Sequence, residues 1–155
     1  MNEKKRERLP HLTVAALVVD QHNRYLMVTE TQDGEIVINQ PAGHVENGES
    51  LQQAVIRETL EESGWQVEPE AILGLYSFTP FTGADTYHRV CFICKPINQV
   101  DMALDEDIIE SNWLTKDDIV ARKQRSPLIM QCINDYERGQ SLAIEGINNW
   151  HIFPS

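Results

Sequence analysis

Positive charge is scarce in this sequence. Thirteen lysines and arginines stand against 24 aspartates and glutamates, which gives a formal net charge of -11. This shortage argues against a nucleic-acid-binding surface, because such a surface needs a basic stripe. A small anionic substrate is still compatible with the charge, provided that metal cations or a few local basic residues screen the site. The composition therefore predicts no nucleic-acid partner and leaves a small anionic substrate open.

Long apolar runs and paired cysteines are missing as well. No stretch is apolar for long enough to cross a membrane, and no signal-peptide run follows the basic segment MNEKKRER. Three cysteines are an odd number, which fits a reducing compartment. We therefore expect a cytoplasmic protein without a membrane partner. Cys91 and Cys94 spell C-x-x-C, but on a strand they would point to opposite faces, so buried core thiols are expected instead of a zinc or redox site.

The sequence also lacks the signatures of several enzyme classes and of a multidomain chain. It contains no glycine-rich P-loop, no G-x-S-x-G elbow and no G-x-G-x-x-G fingerprint. No repeat, low-complexity block or flexible linker divides the 155 residues, which are enough for one domain with a sizeable core. A single domain over residues 1–155 is the prediction.

Local patterns predict about six strands and three helices. The β-rich runs HLTVAALVVD and RYLMVTE flank the turn-like QHN, which is a hairpin signal. Ser50 and Gln53 form a capping-box pattern before the first helix, and Gly64 is a suitable stop for it. Two further helices are expected within TKDDIVARK and SPLIMQCINDYERG, and the aromatic residues of the tail are expected to pack on the body. Strands interleaved with helices favour an α/β fold with a mixed sheet.

The first predicted helix concentrates negative charge on one side. Glu58, Glu61 and Glu62 stand at i, i+3 and i+4, so their carboxylates converge. Like charges at a partly shielded position raise one another's pKa and cost stability unless a cation intervenes. A solvated face, with Arg57 paired to Glu61, is the ordinary alternative. A hard divalent ion such as magnesium takes oxygen ligands, which the glutamates and a carbonyl of the preceding loop would supply.

A longer pattern contains these glutamates. The motif G-x5-E-x7-R-E-U-x-E-E-x-G-U is matched at all of its fixed positions by Gly43, Glu49, Arg57, Glu58, Glu61, Glu62 and Gly64. Thr59 and Trp65 depart from the usual aliphatic residues at the two U positions, which affects packing more than chemistry. In this stretch, residues 43–65, the sequence resembles the Nudix box of the Nudix hydrolases. NQPAGH, RSPL at 125–128 and a tryptophan near the end further resemble the bacterial Nudix phosphatase J group.

The resemblance implies a Nudix-type α/β/α sandwich and magnesium-dependent hydrolysis of phosphoric anhydrides, with Mn²⁺ as an alternative ion. The implied substrates are nucleoside di- and triphosphates or small organic pyrophosphates, among them the pyrophosphate of the thiamine pyrimidine precursor. One open alternative is a pyrophosphatase for dinucleoside polyphosphates or nucleotide sugars. Another is a nucleotide-binding sensor domain without hydrolysis. Both monomers and homodimers occur in the family.

The resemblance also assigns roles by position. The metal ligands would be the carbonyl of Gly43 and the carboxylates of Glu58, Glu61 and Glu62. Glu58 or Glu61 could also accept the proton of the attacking water. Arg57 would orient the glutamates through ion pairs, and Glu49 would brace the junction of loop and helix.

Acidic residues outside the box supply further candidates for the metal site. Some Nudix enzymes use a carboxylate from outside the box. In the acidic segment before Trp113, we single out Glu106 and Glu110 as an additional metal ligand or base. The ordinary alternative for this segment is a solvated loop that leads into an edge strand.

Several residues are candidates for substrate binding. His44 could bind a phosphate or merely fix the loop backbone. Candidate phosphate contacts, each with an ordinary surface role as the alternative, are Arg24, Arg89, Lys95 and Arg125. Arg125 stands out because it precedes a helix, whose N-terminus also attracts anions. Tyr76 could stack on a base or pyrimidine ring, although core packing is the commoner fate of an aromatic residue on a strand.

Overall fold

The structure, a computed structural model, describes residues 9–150 and 152–153. No helix in these residues is both long and apolar enough to span a membrane. The strands are β1 (His11–Val18), β2 (Tyr25–Gln32), β3 (Glu35–Asn39), β4 (Ala42–His44), β5 (Trp65–Phe78), β6 (Tyr87–Gln99), β7 (Ile108–Leu114) and β8 (Leu142–Ala143). The helices are α1 (Leu51–Ser63), α2 (Lys116–Val120) and α3 (Leu128–Glu137), followed by a 3₁₀ turn at Ile144–Gly146.

The strands form two sheets where a single mixed sheet was expected. The five-stranded sheet has the order β4-β1-β6-β5-β8, with β1 and β6 parallel and the other pairs antiparallel. The three-stranded sheet has the antiparallel order β3-β2-β7. The prediction of a β1–β2 hairpin is wrong. Among the described residues, the two segments are joined only by an isolated antiparallel bridge between Val19 and Tyr25. Both edges of β1 are already occupied by β4 and β6, so β2 pairs elsewhere.

Helices lie on both sides of the sheets, as expected for an α/β/α sandwich. Successive residues of β1 point to opposite faces because a strand has a side-chain period of two. Val14 and Ala16 pack in one buried cluster with Ala54 of α1. Ala15 packs in the other buried cluster with Ile129 of α3. The mixed α/β class is confirmed.

Helix α1 begins and ends where the sequence predicts. The Oγ of Ser50 accepts a hydrogen bond from the backbone N–H of Gln53 at 3.1 Å, and the Gln53 side chain accepts one from the N–H of Ser50 at 2.8 Å. This reciprocal pair is a capping box. Gly64 ends the helix with a φ of 76°, in the left-handed region that favours glycine. The two ends fix which turns of α1 face the sheets.

The three cysteines are free and buried. Cys91 belongs to the cluster beside α3 and Cys94 to the cluster beside α1. The prediction that this C-x-x-C pair points to opposite faces is therefore confirmed.

The expectation for the C-terminal tail is wrong where the tail is described. Trp150 and Phe153 are 79% and 74% exposed, while His151 lies outside the described residues. The tail contacts the body elsewhere: Leu142 and Ala143 add an edge strand to β5, and Ile144 and Ile147 pack against the buried cluster beside α1.

Candidate metal centre

Three carboxylates converge between α1 and the segment that precedes β7. Glu58, Glu62 and Asp105 each offer an oxygen atom, and these atoms lie within 4.8 Å of one another. Glu58 and Glu62 are one helical turn apart, so they share a face of α1. The backbone holds Asp105 beside them, since its N–H donates to the carbonyl of Glu61 at 3.0 Å. Magnesium prefers oxygen ligands of this kind, so the donor set fits the implied ion.

Strand β4 closes this group of carboxylates from the side of the sheet. The backbone N–H of Ala42 donates to Oε1 of Glu62 at 2.7 Å. A Cβ atom at Gly43 would overlap the carboxyl group of Glu58. Only glycine therefore leaves room for the Glu58 carboxyl group in this position, which accounts for the residue at the first position of the box.

Arg57 links the loop after β4 to the glutamates of α1. Its Nε and Nη2 donate to the two carboxylate oxygens of Glu49 at 3.0 and 2.7 Å, a bidentate pair. Its Nη1 donates to Glu58 at 2.8 Å, and Nη2 also donates to the carbonyl of His44 at 3.0 Å. The hydrogen bonds from Arg57 hold the pKa of Glu49 below its usual value. This arrangement fixes the orientation of Glu58.

The group of carboxylates is strained electrostatically when no cation balances it. Burial, together with the charges of Glu58, Glu30 and Asp105, raises the pKa of Glu62 to about 8 against the opposing hydrogen bond from the N–H of Ala42. Burial also raises the pKa of Glu58, against the opposing effect of Arg57. A divalent cation would remove this repulsion, so the geometry favours either protonation or metal binding.

This electrostatic strain predicts a pH-dependent stability for the metal-free protein. The pKa of Glu62 rises from 4.5 to about 8 on folding, so the folded state binds the proton more tightly. The free energy of unfolding should therefore fall as the pH rises from about 5 to 8. Glu62→Gln should remove that fall and unfold at a higher temperature than the wild type at pH 8, with little difference at pH 5. Thermal unfolding in a metal chelator measures both, and a pH-independent difference would contradict the assignment.

The structure does not bring every predicted ligand into this group. The side chain of Glu61 is 40% exposed and lies 3.3 Å from Nη1 of Arg57, outside the three carboxylates. Glu106 and Glu110 are exposed. On β7, Ser111 faces α1, because its hydroxyl donates to the carbonyl of Ser63 at 2.9 Å. Its neighbour Glu110 therefore points to the opposite face of the strand.

Two carboxylates near the metal centre were not singled out from the sequence. Asp105 lies in the acidic run DMALDED, where spacing alone does not distinguish one acid from the next. Glu30 is 4% exposed and accepts a hydrogen bond from Nη1 of Arg125 at 2.7 Å. The sequence did indicate that Glu30 is buried. It follows Leu26 and Val28 at a spacing of two residues along β2, so its side chain points to the same face of the strand as theirs.

The predicted substrate-binding residues already have partners within the protein. Arg125 is engaged by Glu30, as described above. The hydroxyl of Tyr76 donates to Asp135 at 2.8 Å, and burial followed by this bond raises the pKa of Tyr76. Nε2 of His44 lies 2.9 Å from Nδ1 of His11. Burial and the nearby His11 lower the pKa of His44.

Two of these residues share one row of the five-stranded sheet. Thr13 of β1 is the register partner of His44 on β4 and of Arg89 on β6, and Arg89 is in turn the partner of Tyr76 on β5. Residues directly opposite one another across paired strands point to the same face. The row therefore places His44, Thr13, Arg89 and Tyr76 on the face that carries Ala15 and Cys91.

Comparison with known proteins agrees with this fold. A family model described as NUDIX domain matches residues 9–132. Phosphatase NudJ of Escherichia coli (strain K12) is 34% identical over 151 residues, which covers 91% of this chain and 94% of that protein. A NUDIX hydrolase from Nitrosomonas europaea is 38% identical with a TM-score of 0.87, covering 92% of this chain and 98% of the other. The NUDIX domain of Shewanella oneidensis NrtR, complexed with ADP ribose, shares the fold at 18% identity and a TM-score of 0.70, over 88% and 93% of the two chains.

Proposed function

The chain belongs to the Nudix hydrolase family, and we propose that it hydrolyses nucleoside di- and triphosphates or small organic pyrophosphates with the help of magnesium. The observation that carries this proposal is the convergence of Glu58, Glu62 and Asp105 beside Gly43. The 34% identity to Phosphatase NudJ supports release of a phosphate group as the outcome. A cytoplasmic location belongs to the proposal, since the three cysteines are free.

The residues of the site have distinct tasks in this proposal. Glu58, Glu62 and Asp105 would hold the metal, with the carbonyl of Gly43 as a further ligand. When bound, magnesium would activate a water molecule for attack on phosphorus and neutralise charge on the phosphate oxygens. Arg57 keeps Glu58 aimed at the site, and the N–H of Ala42 does the same for Glu62. Glu61 stands outside the three carboxylates, which leaves it as the candidate base for the proton of the attacking water.

The geometry favours Asp105 over Glu110 as the ligand from outside the box, and a matched pair of variants tests this choice. Asp105→Asn should raise the magnesium concentration that gives half-maximal activity by about tenfold or more, since a charged ligand is lost. Glu110→Gln should leave that concentration within about twofold, because a surface change away from the site has little effect. A magnesium titration of phosphate release compares the two, and the reverse order of effects would refute the choice.

A substrate screen tests the proposed reaction itself. The wild-type protein is incubated with nucleoside triphosphates, nucleoside diphosphates, dinucleoside polyphosphates and nucleotide sugars, with and without magnesium, in oxygen-18 water. Orthophosphate that carries the label, released from the nucleoside di- and triphosphates only with magnesium, is the expected result. Turnover of dinucleoside polyphosphates or nucleotide sugars alone would favour the pyrophosphatase alternative. Calorimetric binding without turnover of any compound would favour the sensor alternative.

A further inference from the structure

A buried arginine that the mechanism above does not use lies near the middle of the five-stranded sheet. Arg89 of β6 stands between Thr13 of β1 and Tyr76 of β5. An ordinary surface role was the commoner expectation for this residue, and the structure contradicts it. Nε and Nη1 of Arg89 are buried, and no protein atom in residues 9–150 and 152–153 accepts a hydrogen bond from them. Burial also lowers the pKa of this guanidinium.

A guanidinium in this condition needs an acceptor from outside the protein. Nε carries one hydrogen and Nη1 carries two, so three donor hydrogens lack a protein partner. Buried polar groups are nearly always hydrogen-bonded, and an unpaired buried charge costs several kcal/mol. The thiols of Cys91 and Cys132 lie near Arg89, and the buried Oε1 of Gln40, which also has no partner among the described residues, accepts no hydrogen bond from it. Thiols are weak acceptors.

The position of Arg89 relative to the metal centre indicates which acceptor fits. Arg89 lies within electrostatic reach of Glu62, a member of the group of three carboxylates, and of Arg125. Its neighbours on the row, His44 and Tyr76, already contact His11 and Asp135. Arg89 is therefore the cation on this face, within the described residues, whose buried donors have no protein partner and which lies within electrostatic reach of Glu62. A guanidinium matches the geometry of carboxylate and phosphate oxygens, and phosphate oxygens are the ones that a diphosphate substrate would bring to the metal centre.

We propose that Arg89 is a substrate-binding residue, and that its buried N–H groups donate to a phosphate oxygen of the diphosphate bound at the metal centre. This inference rests on the proposed function and deepens it, because it names the side chain that recognises the phosphate chain beyond the carboxylates. It also gives a reason for the lack of protein partners. N–H groups that bind a ligand form these hydrogen bonds only when the ligand is bound.

Arg89→Met tests the proposal, because methionine has a similar volume and no charge. The probe is methylenediphosphonate, a diphosphate analogue without a cleavable bridge, titrated calorimetrically into the magnesium-loaded protein. The dissociation constant should rise at least tenfold in Arg89→Met. The unliganded variant should also unfold at a higher temperature than the wild type, because a buried unpaired cation has been replaced by an apolar group. Arg89→Lys keeps the charge but loses the planar fork, so its dissociation constant should lie between the two.

The control is Arg122→Met, the same chemical change at an exposed position, which should alter neither measurement. An unchanged dissociation constant in Arg89→Met would overturn the proposal. Weaker binding together with a lower unfolding temperature would also overturn it, since that pair of results indicates a structural role. The hydrolysis screen of the wild type separates the two levels of inference. If the wild type hydrolyses nucleotides and Arg89→Met binds the analogue as well as the wild type does, only the assignment of Arg89 fails. If the wild type hydrolyses no compound of the panel, the proposed function fails first.

Discussion

Glu62→Gln is expected to lower the rate of phosphate release at least 10²-fold, a loss of about 2.7 kcal/mol or more in transition-state stabilisation. Glutamine keeps the oxygen that accepts the hydrogen bond from Ala42, so β4 stays attached to α1. It removes the charge from the most deeply buried carboxylate of the group, whose pKa is raised to about 8 by burial. Removal of a charged metal ligand weakens both metal affinity and turnover.

The measurement is steady-state phosphate release at a series of magnesium concentrations. Glu68→Gln serves as the control, because it makes the same chemical change at an exposed position on β5. It should behave as the wild type does. Turnover of Glu62→Gln within about threefold of the wild type would mean that this carboxylate holds no metal that the reaction needs, since such a ligand is worth far more.

Gly43→Ala is expected to reduce turnover by about 10²-fold, although it adds a single methyl group far smaller than any catalytic side chain. The added Cβ would occupy the space of the Glu58 carboxyl group. Either Glu58 or β4 must move, and a displacement of about 1 Å at a catalytic site is enough for a loss of this size. The hydrogen bond from Arg57 to Glu58 should be lost with the displacement.

Gly146→Ala is the matched control for this variant. Apart from Gly146 and its two chain neighbours, no atom of the described residues lies within 4 Å of a Cβ built there, so the same substitution should leave activity unchanged. Comparison of kcat at saturating magnesium separates a displaced Glu58 from a mere loss of metal affinity. Full activity of Gly43→Ala would show that the reaction does not need the Glu58 carboxyl group in its present position.

Local signals in the sequence were sufficient for the bounds of α1 and for the convergence of two of its glutamates. Ser50 and Gln53 form the predicted capping box, and Gly64 forms the predicted stop. Both depend only on neighbours along the chain, which is why spacing reveals them. The convergence of Glu58 and Glu62 likewise follows from helical periodicity.

The strand pairing of β1 and the positions of Asp105 and Arg89 depend on contacts between segments that are distant along the chain. The periodicity of the sequence does not encode such contacts. The sequence favoured a β1–β2 hairpin, but β1 is enclosed by β4 and by the parallel strand β6. The same limit applies to Asp105, which the backbone bond to Glu61 selects from several acids in its segment. Arg89 was one of four candidate phosphate contacts, with an ordinary surface role as the alternative, because the sequence alone did not distinguish it from the other three. Its position in the inward row of Cys91 becomes clear only from the register.

The most direct test of the central claim is anomalous scattering from crystals of the protein grown with manganese. The account predicts an anomalous peak at direct coordination distance, about 2 Å, from carboxylate oxygens of Glu58, Glu62 and Asp105. A manganese ion bound instead at the exposed acids Glu106 and Glu110, with the three carboxylates turned towards solvent and no ion between them, would contradict it.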